Sequence, residues 1–274
     1  MQRFNKQKES SIIEDYKSGK TTVEIAKKWN TYNTSIRRVL LRHGIVPRTT
    51  QKVNRLCKHN PFRRNDEKSE YFLGLLLTDG CITAKTRSTY TINLSLSGID
   101  GYMVETFRDW ASPRTKVSKV LQKINNSYMY SCNIMNEEAV EWLRRKGNFY
   151  RKSYECKIYV PLNWNILRGI FDGDGGFKRT NETGLSFFVC GKSKVFIEQI
   201  ERFLLKEGFR PKVVCQHGLY YVSIHRQLEV ELIGQRLYNN AHVFLQRKHD
   251  KWLAFYESRR ANGVNSGKEM AIQP

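Results

Sequence analysis

Residues 71–80 read Tyr-Phe-Leu-Gly-Leu-Leu-Leu-Thr-Asp-Gly and residues 166–175 read Ile-Leu-Arg-Gly-Ile-Phe-Asp-Gly-Asp-Gly, so one pattern stands twice, with Asp79 and Asp174 95 positions apart. Each stretch is an apolar helical segment that carries Gly at one place and ends on Asp-Gly. Glycine inside a helix costs about 1 kcal/mol relative to alanine, so Gly74 and Gly169 imply a steric reason. Without side chains there, two helix backbones approach closely, and the two helices lie side by side with their C-termini together. Gly80 and Gly175 are read as C-terminal caps. A lone Asp-Gly is a common turn signal; a pair at repeat-equivalent positions carries far more weight.

The repeat continues beyond these stretches. A strand with alternating character follows each, at residues 91–97 and 185–190, then an amphipathic helix at 102–110 and 195–206. Further strands at 128–134 and 219–225 come next, then helices near 137–146 and 228–238, then Arg151-Lys152 and Arg247-Lys248. In the first strand Ile92, Leu94 and Leu96 face a helical layer while Thr91, Asn93 and Ser95 face away. That polar face is a surface for groove reading, since strands enter either groove of a duplex.

Paired helix C-termini place Asp79 and Asp174 where the helix dipoles are already negative. Alone, the carboxylates repel. Divalent cations resolve the conflict by neutralising both and by using carbonyl oxygens unpaired in the last helical turns, with Thr78 and Gly173 the nearest. Hard oxygen ligands suit Mg²⁺, and paired metals hydrolyse phosphodiesters.

The partner follows from charge. Lys and Arg exceed Asp and Glu by 21 in 274 residues, a footprint for a polyanion, most often nucleic acid. Residues 1–70 carry +10 and residues 71–274 carry +11, so both parts are expected to touch it. The apolar runs fall short of the roughly 18 residues of a membrane span, and residues 1–10 have no signal-peptide core. A soluble, unsecreted protein is expected, intracellular and in the cytoplasm or nucleoid, without a membrane partner. Six cysteines lie at least 24 residues apart with no C-x-x-C pair, which favours reduced thiols over structural zinc. His242 and His249 stand in no metal-ligand spacing and receive no role.

The first segment reads as three helices, 10–18, 22–29 and 33–43, with Gly19 and Gly44 as stops and Thr21 or Thr22 and Asn33 as caps. Ile12, Ile13, Tyr16, Val23, Ile25, Ala26, Trp29, Ile36, Val39 and Leu40 form its apolar face. Arg37, Arg38 and Arg42 line the exposed side of the third helix, a pattern similar to a helix-turn-helix of the resolvase and transposase kind. Residues 47–68, with two prolines and many basic side chains, suit a linker.

The doubled motif resembles that of single-chain LAGLIDADG homing endonucleases, over residues 70–258, with an added helix-turn-helix. The resemblance implies an α+β fold of two pseudo-symmetric αββαββα half-domains forming a saddle over DNA. The domains expected are 1–47 (helix-turn-helix), 48–68 (basic linker), 69–160 and 161–258 (half-domains) and 259–274 (tail). It places the catalytic acid of each copy at Asp79 and Asp174, with Leu77 and Asp172 at the motif's other acidic position and an unusual Arg168 in copy two. A catalytic basic residue near each cleavage centre, to stabilise transition-state charge or orient the attacking water, falls on Lys152 and Lys248. The metal ligands expected are Asp79, Asp174, Thr78 and Gly173, holding two or three Mg²⁺ ions for which Mn²⁺ substitutes. DNA contacts are expected from Arg37, Arg38, Arg42, Lys85, Arg87, Asn93, Ser95, Lys178, Arg179, Tyr221 and Ser223. The implied activity is intron-homing cleavage of double-stranded DNA at a long site, by a monomer, leaving short 3′ overhangs. The alternative is a non-cleaving relative, an intron maturase or a transcriptional regulator, against which the retention of both Asp79 and Asp174 argues.

Overall fold

Capping residues cut the N-terminal segment into helices α1 (Lys6–Lys17), α2 (Thr22–Lys28) and α3 (Asn33–Arg42). In this computed structural model, residues 4–48, 59–85, 89–122, 126–149, 152–180 and 184–261 are described, without the side chains of 84, 85 and 89. α1 starts four residues before the expected Ser10 because the Asn5 side chain accepts from the Lys8 amide at 2.9 Å, satisfying an end donor of the helix. Thr21 and Glu24 form a reciprocal capping box on α2. Gly19 and Gly44 take φ of +97° and +71° and stop α1 and α3. Ile12, Tyr16, Ile25, Ala26, Ile36, Val39 and Leu40 make the core of this first unit. Val23, expected there, is 45% exposed.

The second unit runs from Cys57 onward. The expected linker 48–68 is therefore too long. Arg48 packs on the Tyr16 ring of the first unit, while Phe62, in the 3-10 turn Pro61–Arg64, is fully buried against Trp110 and Trp142 with ring centroids 5.1 and 5.4 Å away. Burying an aromatic ring outweighs the linker-like composition around it.

Two copies of one order follow. The first is α4 (Glu67–Thr78), β1 (Gly80–Lys85), β2 (Thr89–Ser97), α5 (Gly101–Ala111), β3 (Val117–Gln122), β4 (Ser127–Met135), α6 (Glu137–Arg144), then a single turn, α7 (Lys152–Glu155). The second is α8 (Trp164–Asp174), β5 (Gly175–Arg179), β6 (Leu185–Gly191), α9 (Lys194–Lys206), β7 (Lys212–Gln216), β8 (Leu219–Ile224), α10 (Gln227–Tyr238), closed by α11 (Gln246–Ala261). Each copy forms a four-stranded antiparallel sheet, ordered β1-β2-β4-β3 and β5-β6-β8-β7. Ile92, Leu94, Cys132 and Ile134 line the buried face of the first sheet; Phe187, Val189, Val222 and Ile224 line that of the second. One hydrophobic core joins both copies through α4 and α8.

Glycine permits that junction. A Cβ on Gly74 would stand 2.1 Å from the Ile166 carbonyl oxygen, and one on Gly169 would stand 2.0 Å from that of Tyr71. Polar pins hold the N-terminal ends, where Asn163 and Asn165 each donate to Glu70 at 2.7 Å. Arg168, only 2% exposed, occupies a fully polar slot: it donates to the carbonyls of Val243 and Leu237 at 2.9 Å and pairs with Glu67 across the interface. The slot explains this unusual arginine, since a buried guanidinium persists only when its fork of donors is filled.

Gly80 and Gly175 are not left-handed caps. Neither has positive φ, and each begins a strand directly. Their need for glycine is steric: a Cβ would fall 2.4 Å from Leu76 Cδ2 at Gly80 and 2.8 Å from the Phe188 carbonyl oxygen at Gly175. The chain leaves each helix so sharply that it passes back over the helix's own last turn. No helix among the described residues is long and apolar enough to cross a membrane, and the five described cysteines are free thiols.

Candidate functional site

The sharp exit at Gly80 and Gly175 decides what surrounds Asp79 and Asp174. Asp174 is the last residue of α8 and Asp79 the C-cap just past the end of α4, so both carboxylates stand at the same end of the α4–α8 pair. A Cβ on Gly173 would lie 1.9 Å from Thr78 Oγ1 and 2.8 Å from Asp79 Oδ2, so the Asp79 carboxylate lies against the partner helix one residue from Asp174. Asp79 is half-buried and Asp174 exposed, which leaves the pair open to solvent.

The electrostatics are those of charge held against its preference. Burial, followed by the neighbouring charge of Asp174, lifts the Asp79 pKa to about 6. Burial also raises that of Asp174, opposed by Lys152 and Lys248. Among the described residues no hydrogen-bond donor reaches either carboxylate, so their oxygens are available as ligands. Two such carboxylates fit a hard divalent cation. No cluster of three or more His, Cys, Asp or Glu exists among the described residues, so a cation here would depend on these two carboxylates, backbone carbonyls and water.

Lys152 and Lys248 sit where the unpaired carbonyls of the helix ends converge. Lys248, 5% exposed, donates to the carbonyls of Phe171, Asp172 and Gly175 at 2.7, 2.6 and 2.7 Å. Lys152 does the same one copy earlier, to Leu76 at 3.4 Å and to Thr78 and Gly80 at shorter range. Each ammonium has three N–H donors, and in Lys248 three carbonyls take them. The lysines thus cap the helices in place of the expected glycines, and they screen the carboxylates from behind. Burial is the main cause that pushes Lys248 down to about 8 and lowers Lys152. Of the two expected carbonyl ligands, Thr78 already accepts from Lys152, whereas Gly173 is not among the carbonyls Lys248 takes.

Asp172 lies behind the site at 1% exposure, its Oδ2 accepting from the Tyr71 hydroxyl at 2.8 Å and the Leu245 amide at 2.7 Å. Burial raises its pKa to about 6. It anchors a strap, residues 242–248, that carries Lys248 to its position. His242 binds Glu67 at 2.9 Å, Arg247 grips Asp100 at 2.8–3.0 Å, and the Gln246 amide donates to Tyr102 at 2.7 Å. His249 packs between Tyr238 and Phe244.

The residues expected at DNA divide by face. Asn93 and Ser95 lie on the open face of the first sheet, in register with Asn133 and Ser131. Tyr221 and Ser223 lie on the open face of the second, in register with Cys190 and Phe188. Lys178 shares that face through Ser186, but Arg179 pairs with buried Leu185 and lines a cavity of about 150 Å³ with Lys251 and Phe255, on the helical side. Strand alternation puts consecutive residues on opposite faces, so the adjacent pair Lys178–Arg179 could not serve one surface. Only the backbone of Lys85 is described, and Arg87 lies outside the described residues. In the first unit Arg37 and Arg38 are exposed on α3, whereas Arg42 is drawn to Glu9 at 2.9 Å, beside His43. Asn133, Ser131 and Phe188 were not nominated from sequence. Their signal was the polar phase of a strand combined with the repeat register, which only the pairing fixes.

No family description matches the chain, and no curated protein matches it. Among solved structures it is similar to "The homing endonuclease I-WcaI bound to its DNA recognition sequence", at 12% identity and a TM-score of 0.52, over 69% of this chain and 90% of that one. A second similar structure is the LAGLIDADG meganuclease I-AabMI bound to uncleaved DNA, at 13% identity and a TM-score of 0.48, over 75% of this chain and 92% of that one. The chain shares the fold of the first.

Proposed function

We propose that this chain is a site-specific endonuclease for double-stranded DNA, working with divalent cations, Mg²⁺ foremost, held between Asp79 and Asp174. The observation that carries the reading is the meeting of two unbonded, solvent-reached carboxylates at one end of a glycine-packed helix pair. Bound there, the cations supply Lewis acidity toward a phosphodiester. Asp79 and Asp174, with the Gly173 carbonyl, hold them; Lys152 and Lys248 fix the helix ends that aim the carboxylates. The net charge of +21 neutralises phosphates, and two open sheet faces, each following its own Asp, contact the two halves of the site. The neighbour I-WcaI is bound to its DNA recognition sequence, which supports the same partner here. One half-domain acts on each strand, the products carry 3′ overhangs, and the working unit is a monomer inside the cell. Arg37 and Arg38 extend the footprint through the first unit.

The test is incubation with Mg²⁺ and a plasmid carrying an uninterrupted copy of the DNA that flanks the gene. A single linear product is expected, and none from Asp79→Asn or Asp174→Asn, both of which still bind the duplex. Binding without any cutting by the native chain would show a non-cleaving relative. Full cutting by either Asn variant removes that carboxylate from the mechanism.

A further inference from the structure

The two sheets are superimposable in register but not in chemistry. Gly80 pairs with Leu94 and Gly175 with Val189, so Leu94 and Val189 are equivalent positions counted from the two site carboxylates. Moving one residue either way along β2 and β6 makes Asn93 equivalent to Phe188 and Ser95 to Cys190. Across the ladder, Asn133 and Ser131 of β4 are equivalent to Ser223 and Tyr221 of β8. A patch of two amides and two serine hydroxyls on the first open face is thus, on the second, a phenyl ring, a thiol, a serine hydroxyl and a phenol.

The first patch is wired internally. The Asn93 amide donates to Ser131 Oγ at 2.8 Å and to Asn133 Oδ1 at 2.9 Å, using both of its N–H groups. The Ser95 hydroxyl donates to Asn93 Oδ1 at 2.9 Å, and the Ser95 and Ser131 oxygens are 2.9 Å apart. One arrangement uses every proton of the ring: Ser131 gives to Ser95, Ser95 to Asn93, and Asn93 to both Ser131 and Asn133. This fixes which end of the Asn133 amide is oxygen. It also leaves Asn133 with one free carbonyl lone pair and two N–H donors, half-exposed on the open face.

We propose that Asn133 reads an adenine in the half of the target under the first sheet, with Asn93, Ser95 and Ser131 as the positioning residues that orient it. The inference rests on the nuclease reading and deepens it. In the major groove adenine presents an acceptor, N7, beside a donor, the N6 amino group, and an asparagine amide meets both at once. Guanine offers two acceptors there, cytosine a donor, and thymine an acceptor and a methyl group, so none matches both ends of an oriented amide. Place follows from register. The row Cys81–Asn93–Asn133 begins two residues after Asp79. With strand rise of about 3.3 Å and strand spacing of about 4.8 Å, Asn133 lies roughly 12 Å from the carboxylate, or about three to four base pairs at 3.4 Å each. In the other half, Phe188 takes the place of Asn93, and Ser223 is engaged by the Lys212 carbonyl at 3.3 Å and His225 at 3.0 Å. The equivalent positions there, Phe188 and Ser223, carry no amide, and the Phe188 ring favours apolar contact, such as a thymine methyl. The target is therefore asymmetric at this pair of positions.

The experiment selects duplexes from a randomised pool in EDTA, where binding is read without cleavage, and sequences the bound fraction. The native chain is expected to enrich adenine at one position in one half-site. Asn133→Ala lowers that preference on the order of tenfold at that position alone. Asn93→Ala weakens it partly, because the amide is then free to turn over. Asn133→Asp keeps the size and the bond from Asn93 but presents only acceptors, and it shifts the preference to cytosine, which donates from N4. This last variant separates reading from folding, since a misfolded protein acquires no new preference. An unchanged base preference in Asn133→Ala and Asn133→Asp overturns the inference and leaves the nuclease reading standing. A native chain that binds no duplex overturns both.

Discussion

Placing a single methyl group at Gly169 tests the packing on which the site depends. A Cβ there would lie 2.0 Å from the Tyr71 carbonyl oxygen and 2.7 Å from the Leu75 nitrogen, whereas favourable carbon contacts lie at about 3.5–4.0 Å. Both obstacles are main chain, so no rotamer change relieves them, and the helices must part by more than about 1 Å. Overpacking of this kind costs about 1–3 kcal/mol, and the rigidity of the obstacle places Gly169→Ala at the upper end. Alanine returns about 1 kcal/mol of helix propensity, which leaves a net loss of about 2 kcal/mol. For a unit of this size that lowers Tm by about 4–8 °C. Gly74→Ala meets the Ile166 oxygen at 2.1 Å and the Ile170 nitrogen at 2.9 Å, so one separation of the helices relieves both clashes. The double variant should then lose clearly less than the sum of the single losses. Calorimetry and denaturant titration measure all three, with plasmid cutting falling alongside as Asp79 and Asp174 draw apart. If Gly169→Ala stabilised the protein, or if the two losses simply added, close helix approach would not be the reason for these glycines.

Other expectations follow from the same geometry. Lys248→Met removes the cap from three buried carbonyls and should cost about 3 kcal/mol, seen in denaturant midpoints; a neutral effect would mean the carbonyls find water instead. In metal-free protein, Asp79 and Asp172, both near 6 in the folded state, hold more protons than the unfolded chain between about pH 4 and 6. They therefore make stability fall as pH rises through that window. Lys248, near 8 when folded, holds fewer protons than the unfolded chain between about pH 8 and 10, so its contribution makes stability rise there. Urea titrations of the native chain against Asp172→Asn and Lys248→Met isolate the two limbs, and identical pH profiles would refute the assignment. Replacing Arg37 and Arg38 with alanine should weaken duplex binding and flatten its salt dependence by about one unit of slope for each phosphate no longer neutralised. Arg42→Ala, whose side chain is held by Glu9, should change the slope less.

The sequence alone determined the doubled architecture, because a repeat of 95 residues, helical glycines and a shared Asp-Gly ending are local and periodic signals that survive without knowledge of contacts. It also nominated Asp79, Asp174, Lys152 and Lys248, which the fold brings to one end of one helix pair. Tertiary structure decided what these groups do to one another. That Gly80 and Gly175 are sterically required while lysines cap the helices depends on a chain reversal and on side chains arriving from 72 to 77 residues away. That Arg168 is tolerated depends on carbonyls of Leu237 and Val243. That Asn133 belongs with Asn93, and Arg179 with the helical side, depends on strand register. Local propensity and periodicity act over a few residues and are written along the chain. Cancelling a buried charge, filling an orphaned carbonyl or orienting an amide needs partners that only folding brings within hydrogen-bond distance.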